Sequence, residues 1–404
     1  LAAEPFSPDS QWLREEGQRL LRFSRAAAIP GGGFGTLDSA GRLPADAPID
    51  GVLTCRKIHS YALATALGDC DGADLVHHGL DALRGALRDD RHGGWFTTGD
   101  SKNGRKEAYL HAFVALAANT AVAFGYDASD LLEDAVSVIE TRFWSHEEGI
   151  MRERFEADWS GEMDYRGANA NMHSVEAFLA LADTTGESKW LERTQRIVER
   201  LIHDHARHND YAVIEHFDRN WTVLKDYNDD KPRDDLRPYG TTPGHYAEWS
   251  HLLLRLEMAL RQAGQPAPEY LRADAERLFA AAVRDGWKDI QPGIVYTVDW
   301  DGHAHVENRP HWVIAEAAVA AGLLGRLTED TAYREWEGRF WATIRDVFMD
   351  REFGSWWNEV DGHNHPSETI YRGKPDLYHA YQATLAPRLP LAPSYVGAVK
   401  RRNA

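Results

Sequence analysis

Arg237-Pro-Tyr-Gly-Thr-Thr-Pro-Gly-His-Tyr-Ala-Glu-Trp249 is the stretch whose reading decides the fold. Gly240 and Gly244 supply turn freedom and Pro243 suits a first helical turn, so a loop here feeds a helix. The apolar run from Leu252 to Leu260 carries that helix into a core. His245, Glu248 and Trp249 stand at i, i+3 and i+4, which puts imidazole, carboxylate and indole on one face. The positive end of the helix dipole disfavours a protonated imidazole at this place and keeps it available as a base. A capping or core histidine uses the same residue type, so the stretch gains meaning only from recurrence.

The arrangement recurs. Glycine- and aromatic-rich segments begin at Gly31, Gly93, Gly149, Tyr211, Gly293 and Gly354, about 55 to 80 residues apart. Several alternate like strands and close on a turn signal, as in Thr297-Val-Asp-Trp-Asp-Gly302. A loop follows each, then a helix with a polar or aromatic start, around Arg56, Tyr109, His173, His245, Trp312 and His379. Amphipathic helices fill the intervals. The first, about Ser10 to Ala28, turns Trp12, Leu13, Leu20, Leu21 and Phe23 inward and Arg14, Glu15, Glu16 and Arg19 outward. Six units of outer helix, short hairpin and inner helix predict an all-α (α/α)6 barrel with short β-hairpins at the active-site mouth. One catalytic domain is expected over residues 1–404, with the inner-helix N-termini converging on that mouth. The repeats end near Leu391, and the basic Lys400-Arg-Arg402 reads as a solvated tail.

A net charge of −18 argues against nucleic acid or an anionic membrane as partner. No apolar run reaches membrane-spanning length, and the N-terminus lacks a basic region followed by an apolar core. Cys55 and Cys70 read as reduced packing residues, so a cytoplasmic location is expected. His203-Asp-His205 and His77-His78 lack metal-ligand spacing with a third ligand and read as solvated. No Walker loop, G-x-G-x-x-G or G-x-S-x-G elbow is present. A cofactor-free, metal-free site built on histidines is the expectation. Asn169, His173 and Glu176 share one helical face, where Glu176 either fixes the His173 tautomer or belongs to a buried capping network. Arg56 needs an oxygen partner if it is buried. Fourteen Trp and fifteen Tyr suit the C–H faces of sugars.

Eight segments carry a resemblance: Gly93-Gly-Trp95, Tyr165-Arg-Gly-x-Asn-Ala-Asn-Met-His173, Ile202-His-Asp204, Glu215-His-Phe-Asp218, Tyr239 to Trp249, Tyr296 to Gly302, Gly354-Ser-Trp-Trp357 and Asp376-Leu-Tyr-His379. Together they resemble the N-acylglucosamine 2-epimerase superfamily in its aldose–ketose isomerase branch. The resemblance implies a monosaccharide site lined by Arg56, Tyr109, Asn169, His173, His245, Glu248, Trp312, Glu316 and His379. His245 and His379 match the family's acid/base pair. The implied reaction interconverts D-mannose and D-fructose, or D-lyxose and D-xylulose, through a cis-enediol. In that scheme His379 shuttles the C1/C2 proton, and His245, steered by Glu248, opens the ring. Arg56 and His173 hold O1 and O2, Asn169 and Tyr109 orient hydroxyls, and Trp312 packs on the sugar. A monomer or small homo-oligomer is expected.

The alternatives are a sugar 2-epimerase, a sulfoquinovose isomerase, an inverting glycosidase with two opposed carboxylates, and a non-catalytic sugar- or protein-binding barrel. By resemblance, Asp235, Asn358 and Pro375 stand where sulfoquinovose isomerases present Arg, Gln and Gln, and Val52 where they have Trp. A sulfonate wants such donors, so a neutral hexose is expected.

Overall fold

Two kinds of helix alternate along the chain. In α4 (Ala108–Ala123) and α10 (His311–Thr328) apolar residues surround nearly the whole circumference, so protein must surround them too. In α7 (Ser188–Val198), Trp190, Leu191, Ile197 and Val198 form one stripe and charges fill the other face, as on a surface helix. The computed structural model describes residues 5–99 and 104–404, and it sorts the helices into two rings on this basis. Leu1 lies outside the described residues.

The inner ring is α2 (Gly51–Ala66), α4, α6 (Ala168–Thr185), α8 (Pro243–Gln262), α10 and α12 (Tyr378–Leu385). Each packs on the next, and α12 returns to α2. In the outer ring, α3 (Ala73–Arg84), α5 (Ser129–Val138), α7, α9 (Tyr270–Gly286) and α11 (Thr331–Thr343) each pack on the inner helix that precedes them. α1 (Ser10–Ser24) packs on α12, so the two ends of the chain lock the ring. This is the expected (α/α)6 barrel. Among the described residues the strands are two or three residues long, in isolated antiparallel pairs.

Most of those pairs do one of two jobs. Trp144–Ser145 with Ile150–Met151, and Trp287–Lys288 with Gly293–Ile294, fold the chain back where an outer helix ends. Lys106–Glu107, Arg166–Gly167 and Arg309–Pro310 run directly into α4, α6 and α10 and pair with strands of the following repeat. Neighbouring repeats are thus tied together at the point where these three inner helices begin, which helps fix the N-termini there. Asp38, Asp218, Asp299 and Asp361 build the same turn, each Oδ1 accepting from the backbone N–H two and four residues ahead.

Several expectations are corrected. The first helix stops at Ser24 and passes into a 3₁₀ turn. Glu16 is not outward: it accepts from Trp356 Nε1 at 2.6 Å and pairs with Arg19, because α1 covers the closing seam. The C-terminus is more than a solvated tail. α13 (Tyr395–Asn403) buries Tyr395, Val396, Ala398 and Val399 against α6 and α2 at the end away from the mouth, leaving Lys400 to Arg402 exposed. His78 and His203 are not merely solvated: His78 Nε2 bonds Gly33 O and His203 Nδ1 bonds Asp274 Oδ2, each at 2.8 Å. Both cysteines are free thiols. No helix among the described residues is long and apolar enough to cross a membrane.

Candidate active site

At the N-terminal ends of the inner helices lies a cavity of about 1060 Å³, lined among others by Val52, Arg56, Tyr109, Asn169, Asp235 and Tyr371. The histidines sit deeper, and His173, His245 and His379 are 4–6% exposed. Pro243 opens α8 and brings His245 into its first turn, where Nδ1 meets Glu215 Oε1 at 2.8 Å. Glu215 immediately precedes the strand His216–Phe217, and its carbonyl accepts from Ala168 N at 3.0 Å, which pins it to the start of α6. His379, in the first turn of α12, donates its backbone N–H to Asp376 Oδ2 at 3.1 Å, and its Nδ1 meets Glu316 Oε1 at 2.7 Å.

Each imidazole therefore has Nδ1 on a carboxylate, which fixes the Nδ1–H tautomer and leaves Nε2 with a lone pair. Trp312 lies between them, its ring centroid 5.2 Å from that of His245 and 5.9 Å from that of His379. Its Nε1 donates to Tyr371 Oη at 3.2 Å, which joins the floor to the mouth. The Nε2 atoms of His173, His245 and His379 take no hydrogen bond among the described residues and are not fully buried.

Arg56 Nη2 donates to Tyr109 Oη at 2.9 Å, and Nη1 lies 3.9 Å from Asp376 Oδ1. The guanidinium sits over Phe113 and Tyr378, at 4.6 and 5.0 Å from the ring centroids. Asn169 Nδ2 holds Leu236 O at 3.1 Å, while its Oδ1 is buried without a partner. All nine expected site residues thus belong to one region, but two pairings differ. Glu248 does not steer His245; it lies a turn deeper on α8, with Oε1 3.7 Å from His173 Nδ1. Glu176 is likewise 3.7 Å from His173 Nδ1, beyond hydrogen-bond reach, and its carboxylate is held by Tyr378 and Gln382. Trp249 turns wholly into the core.

Burial pushes His173 down to about 4, so it is neutral at physiological pH. Burial, reinforced by Glu316 and Glu176, raises Glu248 well above the carboxylate range and keeps it protonated. Burial also acts on Glu316, but hydrogen bonds from His251 and His379 outweigh it and hold that carboxyl ionised. Asp376 is held low against its burial by His379, His311 and Arg56. A proton-bearing carboxyl and two ionised ones share the site, the separation that acid–base chemistry needs.

Residue spacing missed Glu215, Asp376, His251 and Tyr371 as working parts. The first two stand inside segments that carried the family resemblance, Asp376 close to His379 but Glu215 thirty residues from His245. Among the described residues one group has ligand atoms close enough for a metal: Asp299, Asp301 and His303. It lies on a hairpin turn, and Asp299 Oδ1 already accepts from two backbone N–H groups.

The N-acylglucosamine 2-epimerase family profile matches residues 32–383. The D-mannose isomerase of Pseudomonas cannabina pv. alisalensis is 52% identical over 393 residues, covering 96% of this chain and 95% of that one. The D-mannose isomerase of Thermobifida fusca is 47% identical, covering 96% of each. A crystal structure of D-mannose isomerase superposes with a TM-score of 0.86 at 27% identity, covering 94% of this chain and 98% of that one.

Proposed function

The chain belongs to the N-acylglucosamine 2-epimerase family, and on that premise we propose that it is an aldose–ketose isomerase interconverting D-mannose and D-fructose through a cis-enediol. One observation carries the reading: two imidazole–carboxylate pairs, His245–Glu215 and His379–Glu316, flank Trp312, and neither Nε2 takes a hydrogen bond among the described residues. His379 takes the C2 proton of the open-chain aldose and returns it to C1. His245 opens the ring and moves protons between the oxygens, giving O1 the proton that O2 surrenders as the carbonyl shifts. Arg56 meets the enediolate charge. Neutral His173 and the protonated Glu248 share the remaining polar contacts. Asn169 Oδ1, buried and unpaired, and Tyr109 orient hydroxyls, and Trp312 supplies an apolar face.

Charge at the mouth favours a neutral sugar. Asp38, Asp46, Asp50, Glu107, Glu153, Asp235 and Glu368 line it against Arg56, Arg237 and Arg372. Arg237 is spent on Glu153 at 2.8 Å. Asp235, Val52 and Pro375 are in the lining, as the sulfonate argument needs. Asn358 is not; it borders a smaller neighbouring cavity, and its carbonyl accepts from His311. The glycosidase alternative loses support because Glu215 and Glu316 are each committed to an imidazole. Incubation with D-mannose, D-lyxose, D-glucose and sulfoquinovose, with product identification, tests the proposal. Fructose from mannose is expected. Glucose as first product would make the enzyme a 2-epimerase, a higher kcat/KM on sulfoquinovose would overturn the charge argument, and no turnover would overturn the whole.

A further inference from the structure

Glu316 is held by two imidazoles, of which the reaction as proposed uses one. Oε1 takes His379 Nδ1 at 2.7 Å and Oε2 takes His251 Nε2 at 2.6 Å. His251 lies on α8 below Glu248 and is 5% exposed. Its Nε2 faces an ionised carboxylate and must donate, so Nδ1 carries the lone pair, and Nδ1 is buried with no partner among the described residues. Beside it lies a cavity of about 20 Å³, lined by His59, Glu176, His251, Arg255, Ser394 and Tyr395 among others. That is room for one water, which needs roughly 10–15 Å³ and polar partners.

Resting on the reading of His379 as the base, we propose that His251 is its positioning residue, acting through Glu316, and that the cavity beneath holds a water donating to His251 Nδ1. The His251 N–H fixes the carboxylate plane and draws off part of its charge, so Glu316 orients His379 without over-stabilising the imidazolium. The base then lets go of its proton at C1. Charged and titratable groups surround this trio on the barrel's inner side: Arg56 and His59 on α2, His173 and Glu176 on α6, Glu248 and Arg255 on α8, Asp376 and Tyr378 beside His379, and Tyr395 on α13. Among the described residues, only Glu316 hydrogen-bonds His251.

His251→Leu and His251→Asn remove the donor, Asn in a polar side chain too short to reach Glu316. His251→Gln puts an amide N–H near the Nε2 position. The Leu and Asn variants should move the acidic limb of kcat/KM up by about 0.5–1 pH unit, because the undivided carboxylate charge favours a protonated base. Their kcat should fall by roughly 3–30-fold at neutral pH, with little change in KM. The Gln variant should restore the limb. If Leu fails to fold, Asn carries the test. A fall in kcat with the limb unmoved in Leu or Asn, or a limb shifted equally in Gln, overturns the inference. His379→Ala separates this from the parent reading: retained turnover there removes the base itself, whereas lost turnover with unmoved limbs in the His251 variants removes only His251. One ordered water on Nδ1 is expected in a high-resolution crystal structure, and a dry cavity overturns the hydration.

Discussion

Glu215 offers the sharpest test of the His245 pair, because its two oxygens do different things. Oε1 takes the Nδ1–H of His245 at 2.8 Å in a side chain 3% exposed. Oε2 takes no hydrogen bond among the described residues. In Glu215→Gln the amide is therefore free to turn its carbonyl toward Nδ1, so the tautomer survives and only the charge is lost. A charge-assisted hydrogen bond of this kind is worth about 1.5–3 kcal/mol. At about 1.4 kcal/mol per decade, kcat/KM should fall by roughly 10–150-fold.

Glu215→Ala removes the acceptor altogether. The ring can then turn and Nε2 is no longer reserved for the substrate, so a loss of roughly 10²–10⁴-fold is expected, the range for an unplaced general acid or base. Steady-state rates on D-mannose, read as fructose formed across pH 5–9, measure both. With the carboxylate gone the imidazolium loses its counter-charge, and the acidic limb in the Gln variant should move down. A Gln variant within twofold of the parent, or an Ala variant no worse than Gln, would refute the assignment of Glu215 as the partner that orients His245.

Replacing His379 with Ala should lower kcat by roughly 10²–10⁴-fold, and fructose made from C2-deuterated mannose by the unaltered enzyme should keep part of the label at C1; complete retention would refute the enediol. Asp235→Arg should raise turnover of sulfoquinovose relative to mannose by placing a donor at the mouth, and an unchanged ratio would show that this loop does not read the C6 substituent. Lys57 is buried, bonded to Ser24, and held down to about 8 by burial against an ordinary 10.5. Its folded form binds the proton more weakly, so the cost is full below pH 8 and fades as pH rises toward 10.5. Lys57→Met should then stabilise the fold by roughly 1–3 kcal/mol at pH 7, less what Ser24 loses, with the gain vanishing near pH 10.5 in denaturant titrations. No gain at pH 7 would refute it.

The ring was legible because each repeat announces its inner helix twice, by the glycine-rich hairpin before it and by apolar residues on all sides. Partnership was not. An outer helix packs on the inner helix behind it in the chain, to which a short loop at the outer helix's N-terminus joins it. α13 escaped because Lys400 to Arg402 dominate its composition, while Tyr395 to Val399, too short to show a period, do the plugging. In the site, positions at helix starts were readable from the chain, and their carboxylates were only half so. The i+3 rule nominated Glu248 for His245, but that rule knows only one helix. The true partner arrives from the residue before a strand, tied to the start of α6 and thirty residues away.

That difference in wiring bears on which histidine does what. Glu316 belongs to α10, a stave of the barrel packed on α8 and α12, and it is clamped from both sides by His251 and His379. In the proposed reaction a proton lifted from C2 onto His379 is met by that ionised carboxylate, with Asp376 capping the same helix turn. A carbon acid is weak, so the group that deprotonates it needs its conjugate acid stabilised and its Nε2 held against a carbon centre within tenths of an ångström. His245 depends instead on Glu215, whose second oxygen is unclamped and which stands just before a two-residue strand, His216–Phe217. Protons moving between oxygens at ring opening travel along hydrogen bonds and tolerate such latitude. The rigid pair therefore suits the carbon and the looser pair suits the oxygens, which is why His379 is assigned the C2 proton and His245 the ring.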